Sequence, residues 1–265
     1  MAFFEVKIRS EVLGMGASID VVIPQKPSRG NIGISSAETG DTFPTLYLLH
    51  GMSDDQTIWH RRTSIERYAD EHGVAVVMPT TNLGWYTDMH FGYRWRTYIG
   101  EELPRVMRGF FPQMSDKRED TYLSGNSMGG YGSLALAFTY PETFSIAAPL
   151  SGAFDPEHMY DPKHPENTYV FDMFGPIDEY YGSKNDLFAL AEKVKETGAP
   201  MPEIYIGCGT EDGLITVNRK MRDHLNSLGY DVTYSEAPGG HEWGYWDREI
   251  QKVLNYIDSR RKEVG

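Results

Sequence analysis

Hydrophobic positions along this 265-residue chain follow two rhythms, and the switch between them outlines an architecture. Residues 4–10 and 18–24 alternate apolar with polar side chains on either side of Gly14-Met15-Gly16, which predicts two antiparallel strands joined by a short turn. Further on, apolar and β-branched residues come in short unbroken runs at 46–49, 74–78, 121–123, 146–150 and 204–206, with a last strand at 232–236. Runs of that kind read as strands buried on both faces. Between them, apolar spacing near 3.6 predicts helices over 64–71, 95–110, 128–140, 186–196, 214–228 and 245–261. Alternating strands and helices of this kind build a mostly parallel sheet of about eight strands with helices on both faces, whose reactive groups collect at the carboxyl ends of the strands.

Residues from about 151 to 185 break the rhythm, being rich in Pro, Asp, Tyr and Phe with little periodicity. An irregular insertion of this length in a compact domain is either a cap that shapes a site or a peripheral decoration. No internal repeat and no Pro/Ser/Gly tract divides the remainder, so residues 1–265 are expected to form one α/β domain carrying that insertion.

The densest chemical signal lies where the run at 121–123 meets the helix at 128–140. Gly125-Asn126-Ser127-Met128-Gly129 has the form of a nucleophile elbow, with glycines two residues either side of a serine on a tight strand-to-helix turn. The plainer alternative is a turn whose serine caps the helix. A serine hydroxyl attacks only if a base takes its proton and an acid orients that base. Of the eight histidines, His241 sits in the glycine-bearing loop Ala237-Pro-Gly-Gly-His-Glu-Trp243 between the last strand and the last helix. His72 and His224 fall in charged helical stretches, His158 and His164 in the insertion, and His60 and His90 in or near loops where packing or substrate contact would explain them. His50 is expected to hydrogen-bond beneath its loop rather than to catalyse.

The acid is expected from the loop that follows 204–206, where Asp212 before Gly213 is preferred to its neighbour Glu211 as the tighter turn position. The order Ser127, Asp212, His241 matches that of α/β-hydrolases. Backbone N–H groups of Met128, next to the serine, and of Met52, in the Leu48-Leu-His-Gly51-Met52 turn, are the expected oxyanion donors. Gly51 and Trp85 are the expected substrate contacts. Asp54, Asp55 and Asp88 show no metal-ligand spacing, and serine chemistry requires neither metal nor cofactor.

Composition narrows the partners. A net charge of −13 and a pI near 5.0 argue against nucleic acid or anionic membrane as a partner, say little about the substrate and permit a homo-oligomer; the three loop motifs in their order make a small-molecule ester the expected ligand. The first residues show no basic, apolar and small-residue leader pattern, and no stretch has the apolar length of a spanning helix. One cysteine, Cys208, expected as a buried filler, fits a reducing compartment, and the cytoplasm is the expected location.

Taken with Trp59 and with the stretches Leu48-Leu-His-Gly-Met52, Gly125-Asn-Ser-Met-Gly-Gly130, Gly209-Thr-Glu-Asp212 and Gly240-His-Glu-Trp243, the chain resembles the esterase D-like α/β-hydrolases, most closely the bacterial tributyrin esterases. The resemblance implies a carboxylesterase for short acyl esters, with Ser127 forming an acyl-enzyme, His241 moving protons and Asp212 holding the imidazole. S-formylglutathione hydrolases are similar, but they usually carry a cysteine just after the His-Gly loop, where this chain has Ser53 and Asp54. Acyl transfer to another alcohol, or a silent binding protein on the same fold, would use the same framework.

Overall fold

The computed structural model describes residues 1–25, 36–37, 40–156, 159–161, 163–164 and 168–264, and His158 lies outside them. The strands are β1 (Ala2–Arg9), β2 (Gly16–Ile23), β3 (Thr45–Leu49), β4 (Ala75–Pro79), β5 (Thr121–Asn126), β6 (Ile146–Leu150), β7 (Glu203–Gly209) and β8 (Val232–Ala237). They form one sheet in the order β1-β2-β4-β3-β5-β6-β7-β8. The amino-terminal hairpin joins β4 antiparallel, and every pairing from β4 through β8 is parallel. This is the mostly parallel sheet anticipated from the two rhythms of the sequence.

The helices are α1 (Ile58–Arg62), α2 (Ile65–His72), α3 (Trp95–Thr97), α4 (Leu103–Phe110), α5 (Met128–Thr139), α6 (Tyr169–Phe174), α7 (Ile177–Tyr180), α8 (Leu187–Thr197), α9 (Ile215–Leu228) and α10 (Trp243–Val264). Alternate strand residues divide between two cores. Leu46 and Leu48 of β3 pack toward α1, α2 and α10, whereas Tyr47 and Leu49 face α4, α5, α8 and α9. Because β3 is buried on both faces, its sequence shows no polar alternation.

Two stretches depart from the expected pattern. The helix expected over 95–110 is interrupted by a π turn, Tyr98–Glu102, between α3 and α4. The extra residue in that turn carries Glu102 inward, where its carboxylate accepts from the Ser10 hydroxyl and from the N–H groups of Glu11 at 2.7 Å and Val12 at 3.3 Å. The turn thereby ties this helix to the β1–β2 hairpin. The aperiodic stretch after Ser151 contains α6 and α7, which at six and four residues are too short to display a helical period.

Candidate active site

Ser127 stands between β5 and α5 at φ 55°, ψ −113°, a backbone conformation that costs a non-glycine residue of order 1–3 kcal/mol. Close packing explains how the strain persists. A Cβ on Gly125 would come within 2.7 Å of the Leu49 and Gly129 carbonyl oxygens, and one on Gly129 would collide with Leu49 O and lie 2.8 Å from His50 O. The elbow is therefore pressed against the end of β3, while Ser127 N–H donates to Leu150 O at 2.9 Å on the β6 side.

The loops after β7 and β8 deliver the other two groups. His241 Nε2 lies 3.0 Å from Ser127 Oγ, and its Nδ1 lies 2.9 Å from Asp212 Oδ2 and 3.2 Å from Oδ1. The His241 side chain is 38% exposed, whereas that of Asp212 is 1% exposed, so the base opens toward solvent with its acid beneath it. Burial alone would lift the Asp212 carboxyl, but hydrogen bonds from His241, the Leu214 N–H and Ser151 outweigh it and hold the group below the ordinary aspartate range. The structure thus brings together the three side chains singled out in the sequence. Glu211 points elsewhere: its carboxylate accepts from Gly239 N–H at 2.6 Å and from the Thr210 hydroxyl, clamping the loop that carries His241.

On the opposite side of the serine, Met128 is the first residue of α5, so its N–H has no acceptor within that helix. Met52 lies in the turn after β3, and the shape of that turn is set by His50. His50 Nδ1 donates to Gly51 O at 2.7 Å, while Nε2 accepts from Thr81 N–H at 3.0 Å, an arrangement open only to neutral imidazole. Burial accordingly pushes its pKa down to about 4. Gly51 presses on Asn126, whose Nδ2 would lie 2.9 Å from a Cβ there.

Trp85, expected as a substrate contact, is buried instead. It is 2% exposed, and its ring meets Tyr131 and Phe174 edge-on at 5.6 Å. The positive φ of Trp85 and Tyr86 turns both rings inward, and Gly132 of α5 is glycine because the Tyr86 ring occupies the place of its Cβ. The open aromatics of that loop are Phe91 and Tyr93. Tyr169, at the start of α6, reaches the turn after β3, its hydroxyl 3.0 Å from Met52 Sδ. Of the other described histidines, His72 binds Asp258 at 2.6 Å, His224 meets Phe188 O, His60 faces Asp20 and His90 meets the Phe91 ring edge-on.

Two residues that the sequence did not mark complete the surroundings. Ser151, just past β6 at φ 48°, bonds Asp212 and accepts from Trp246 Nε1 at 3.1 Å. The Trp246 ring in turn stands at 90° to the His241 imidazole, 4.9 Å between centroids. A serine in a loop carries no sequence signal for such a role. Among the described residues, no group of three or more His, Cys, Asp or Glu is placed to hold a metal ion.

A strained serine bonded through a histidine to a buried aspartate, at the carboxyl ends of β5, β7 and β8, is the site geometry of a serine hydrolase on an α/β-hydrolase fold. The family model Esterase, described as "Putative esterase", matches residues 30–257, and the chain belongs to that family. It is 30% identical over 269 residues to an acetyl esterase of Caldicellulosiruptor saccharolyticus, covering 97% of this chain and 98% of that protein. Two Staphylococcus aureus structures are also similar. The fluorophosphonate-binding serine hydrolase FphF, solved with substrate bound, superposes with a TM-score of 0.86 at 31% identity, covering 97% of this chain and 98% of that one. The S-formylglutathione hydrolase FrmB superposes with a TM-score of 0.83 at 31% identity and the same coverage.

Proposed function

We propose that the protein is a serine carboxylesterase that cleaves short acyl esters through an acyl-enzyme. The observation that carries this reading is the unbroken relay from Ser127 Oγ to His241 Nε2 at 3.0 Å and from His241 Nδ1 to Asp212 at 2.9 Å. In this scheme Ser127 Oγ attacks the acyl carbon while His241 Nε2 takes its proton, and the negative charge on the former carbonyl oxygen is met by the N–H groups of Met52 and Met128. His241 then passes the proton to the departing alcohol. Water, deprotonated by the same imidazole, attacks the ester carbon of the acyl-enzyme and releases acid and free serine. Asp212 stays ionised throughout and keeps the Nδ1 proton of His241 in place.

Short acyl groups are supported by similarity to the acetyl esterase. Ser53 and Asp54 stand where S-formylglutathione hydrolases usually carry a cysteine, which favours an oxygen ester over a glutathione thioester. Gly51 gives the acyl carbonyl close access to the oxyanion turn, Trp85 backs the pocket through Phe174, and the insertion with α6 walls it beside Met52. A buried lone thiol, Cys208, is consistent with the cytoplasm, and among the described residues no helix is long and apolar enough to cross a membrane. Replacing Ser127 by Ala should lower p-nitrophenyl acetate turnover by at least about 10⁴-fold and abolish stoichiometric labelling by a fluorophosphonate. Near-wild-type hydrolysis, or stoichiometric labelling, that survives this replacement would reject the mechanism. Turnover of p-nitrophenyl esters from acetate to decanoate, set against a glutathione thioester, reads the acyl length and the leaving group.

A further inference from the structure

The rim of the sheet farthest from the site is formed by β1. Among the described residues β1 pairs with β2 alone. Phe3 at 41% and Phe4 at 40% are open, with Glu5, Lys7 and Arg9 exposed as well, while Val6 and Ile8 are half-buried. A row of outward N–H and C=O groups along eight residues is a template for another strand.

The order of side chains along β1 decides which strand fits. Phe3, Glu5, Lys7 and Arg9 project to one face, where Phe3 meets the His60 ring at 5.0 Å and Glu5 stands opposite Asp20. Phe4, Val6 and Ile8 project to the other face, where Phe4 meets the Phe111 ring at 5.1 Å. Two copies related by a two-fold axis must pair their edges antiparallel, and because outward peptide groups come from alternate residues, only residues of like parity can face each other. With the axis on Val6, Glu5 faces Lys7, Phe3 faces Arg9 and Phe4 faces Ile8. Moving the axis by one residue sets Glu5 against Glu5 or Lys7 against Lys7.

We propose that β1 pairs with β1 of a second copy of this chain about a two-fold axis at Val6, joining the two sheets into one. In that register one face gains two Glu5–Lys7 ion pairs and two Arg9–Phe3 cation–π contacts, and the other face gains Val6 on Val6 flanked by Phe4 on Ile8. The second copy's Lys7 also relieves the like-charge opposition of Glu5 and Asp20 within each chain. A neutral or uniformly charged partner strand would leave these alternating charges unmatched, whereas the strand's own sequence matches them.

Sedimentation velocity of the full chain over a concentration series reads the association. The wild-type chain should reach a dimer. Glu5→Lys and Lys7→Glu each turn two attractive pairs into two repulsive ones and should weaken the dimer about tenfold or more. The double variant E5K/K7E exchanges the charges and should restore it. Val6→Cys places one thiol per chain on the axis while the natural Cys208 stays buried, so a short bis-maleimide should give a single covalent dimer. Retained p-nitrophenyl acetate turnover identifies the folded variants, and the cross-link reads the register independently of the charge reversals. A chain that sediments as a monomer at every concentration, an oligomer indifferent to both single reversals, or a Val6→Cys chain that does not cross-link would overturn the proposal.

Discussion

The indole N–H of Trp246 can only donate, so its bond to Ser151 Oγ fixes which way that hydroxyl faces. Burial pushes the neighbouring Cys208 thiol up to about 12, so its proton stays on and Ser151 Oγ can accept a second donor. The remaining hydroxyl proton is left for Asp212, whose carboxylate then has donors from Ser151, Leu214 and His241. Ser151→Ala removes one of the three donors and leaves the Trp246 N–H buried without an acceptor. Steady-state kinetics should show kcat down about tenfold with KM near the wild-type value, and unfolding should show a loss of about 1–3 kcal/mol. An unchanged kcat would mean that Leu214 and His241 hold the acid unaided. Ser127, Asp212 and His241 were legible in the sequence because each follows a strand run in a glycine-bearing loop. Ser151 and Trp246 were not, since their part depends on one φ angle of 48° and on which way an indole faces.

At the scale of the element, the elbow depends on how closely β3, β5 and α5 approach. Gly129 sits where a side chain would meet the Leu49 and His50 carbonyls, which are backbone atoms with no rotamer to yield. Gly129→Ala should therefore move α5 off the end of β3, carrying away the Met128 N–H proposed above as an oxyanion donor. The expected outcome is a loss of at least about 10²-fold in kcat/KM, since one misplaced oxyanion donor alone costs that much. Near-normal turnover would show that α5 can shift without disturbing the donors. Periodicity found α5 from Tyr131, Leu134, Ala135 and Phe138 at helical spacing, although every residue from Met128 to Phe138 is buried and the helix has no polar face. It failed at Tyr98–Glu102, where the π turn adds one residue without changing composition, and the inward turn of Glu102 shows only once the hairpin it binds is in place. Trp85 misled for a related reason: an aromatic in a glycine loop reads as a pocket wall until positive φ values turn it into the core.

Across the whole molecule, His50 is the joint on which the carboxyl-terminal ends of β3 and β4 meet, since it holds both the Gly51 carbonyl and the Thr81 amide. Its folded pKa of about 4 lies below the unfolded value of 6.5, because burial favours the neutral ring over any help from Asp55. Between those values the unfolded chain takes up a proton that the folded chain refuses. Its contribution to stability is therefore complete above pH 6.5 and disappears as pH falls through about 4, a change on the order of 3 kcal/mol. Asp212 and Glu236, whose folded pKa values are depressed, lose their contributions at lower pH, beginning below the ordinary carboxylate values of 3.8 and 4.5. Asp20 and Asp54, raised chiefly by burial, act in the opposite sense near the low end of the His50 window, so the useful reading is a difference between two proteins. In urea unfolding at pH 7, 6, 5 and 4.5, wild-type stability should fall more steeply than that of His50→Gln, which has no ring to protonate. The variant should be weaker at pH 7 and converge on the wild type toward the acid end. Parallel curves for the two proteins would mean that His50 takes up its proton alike in the folded and unfolded chains, and the Thr81 bond to Nε2 would have to be abandoned.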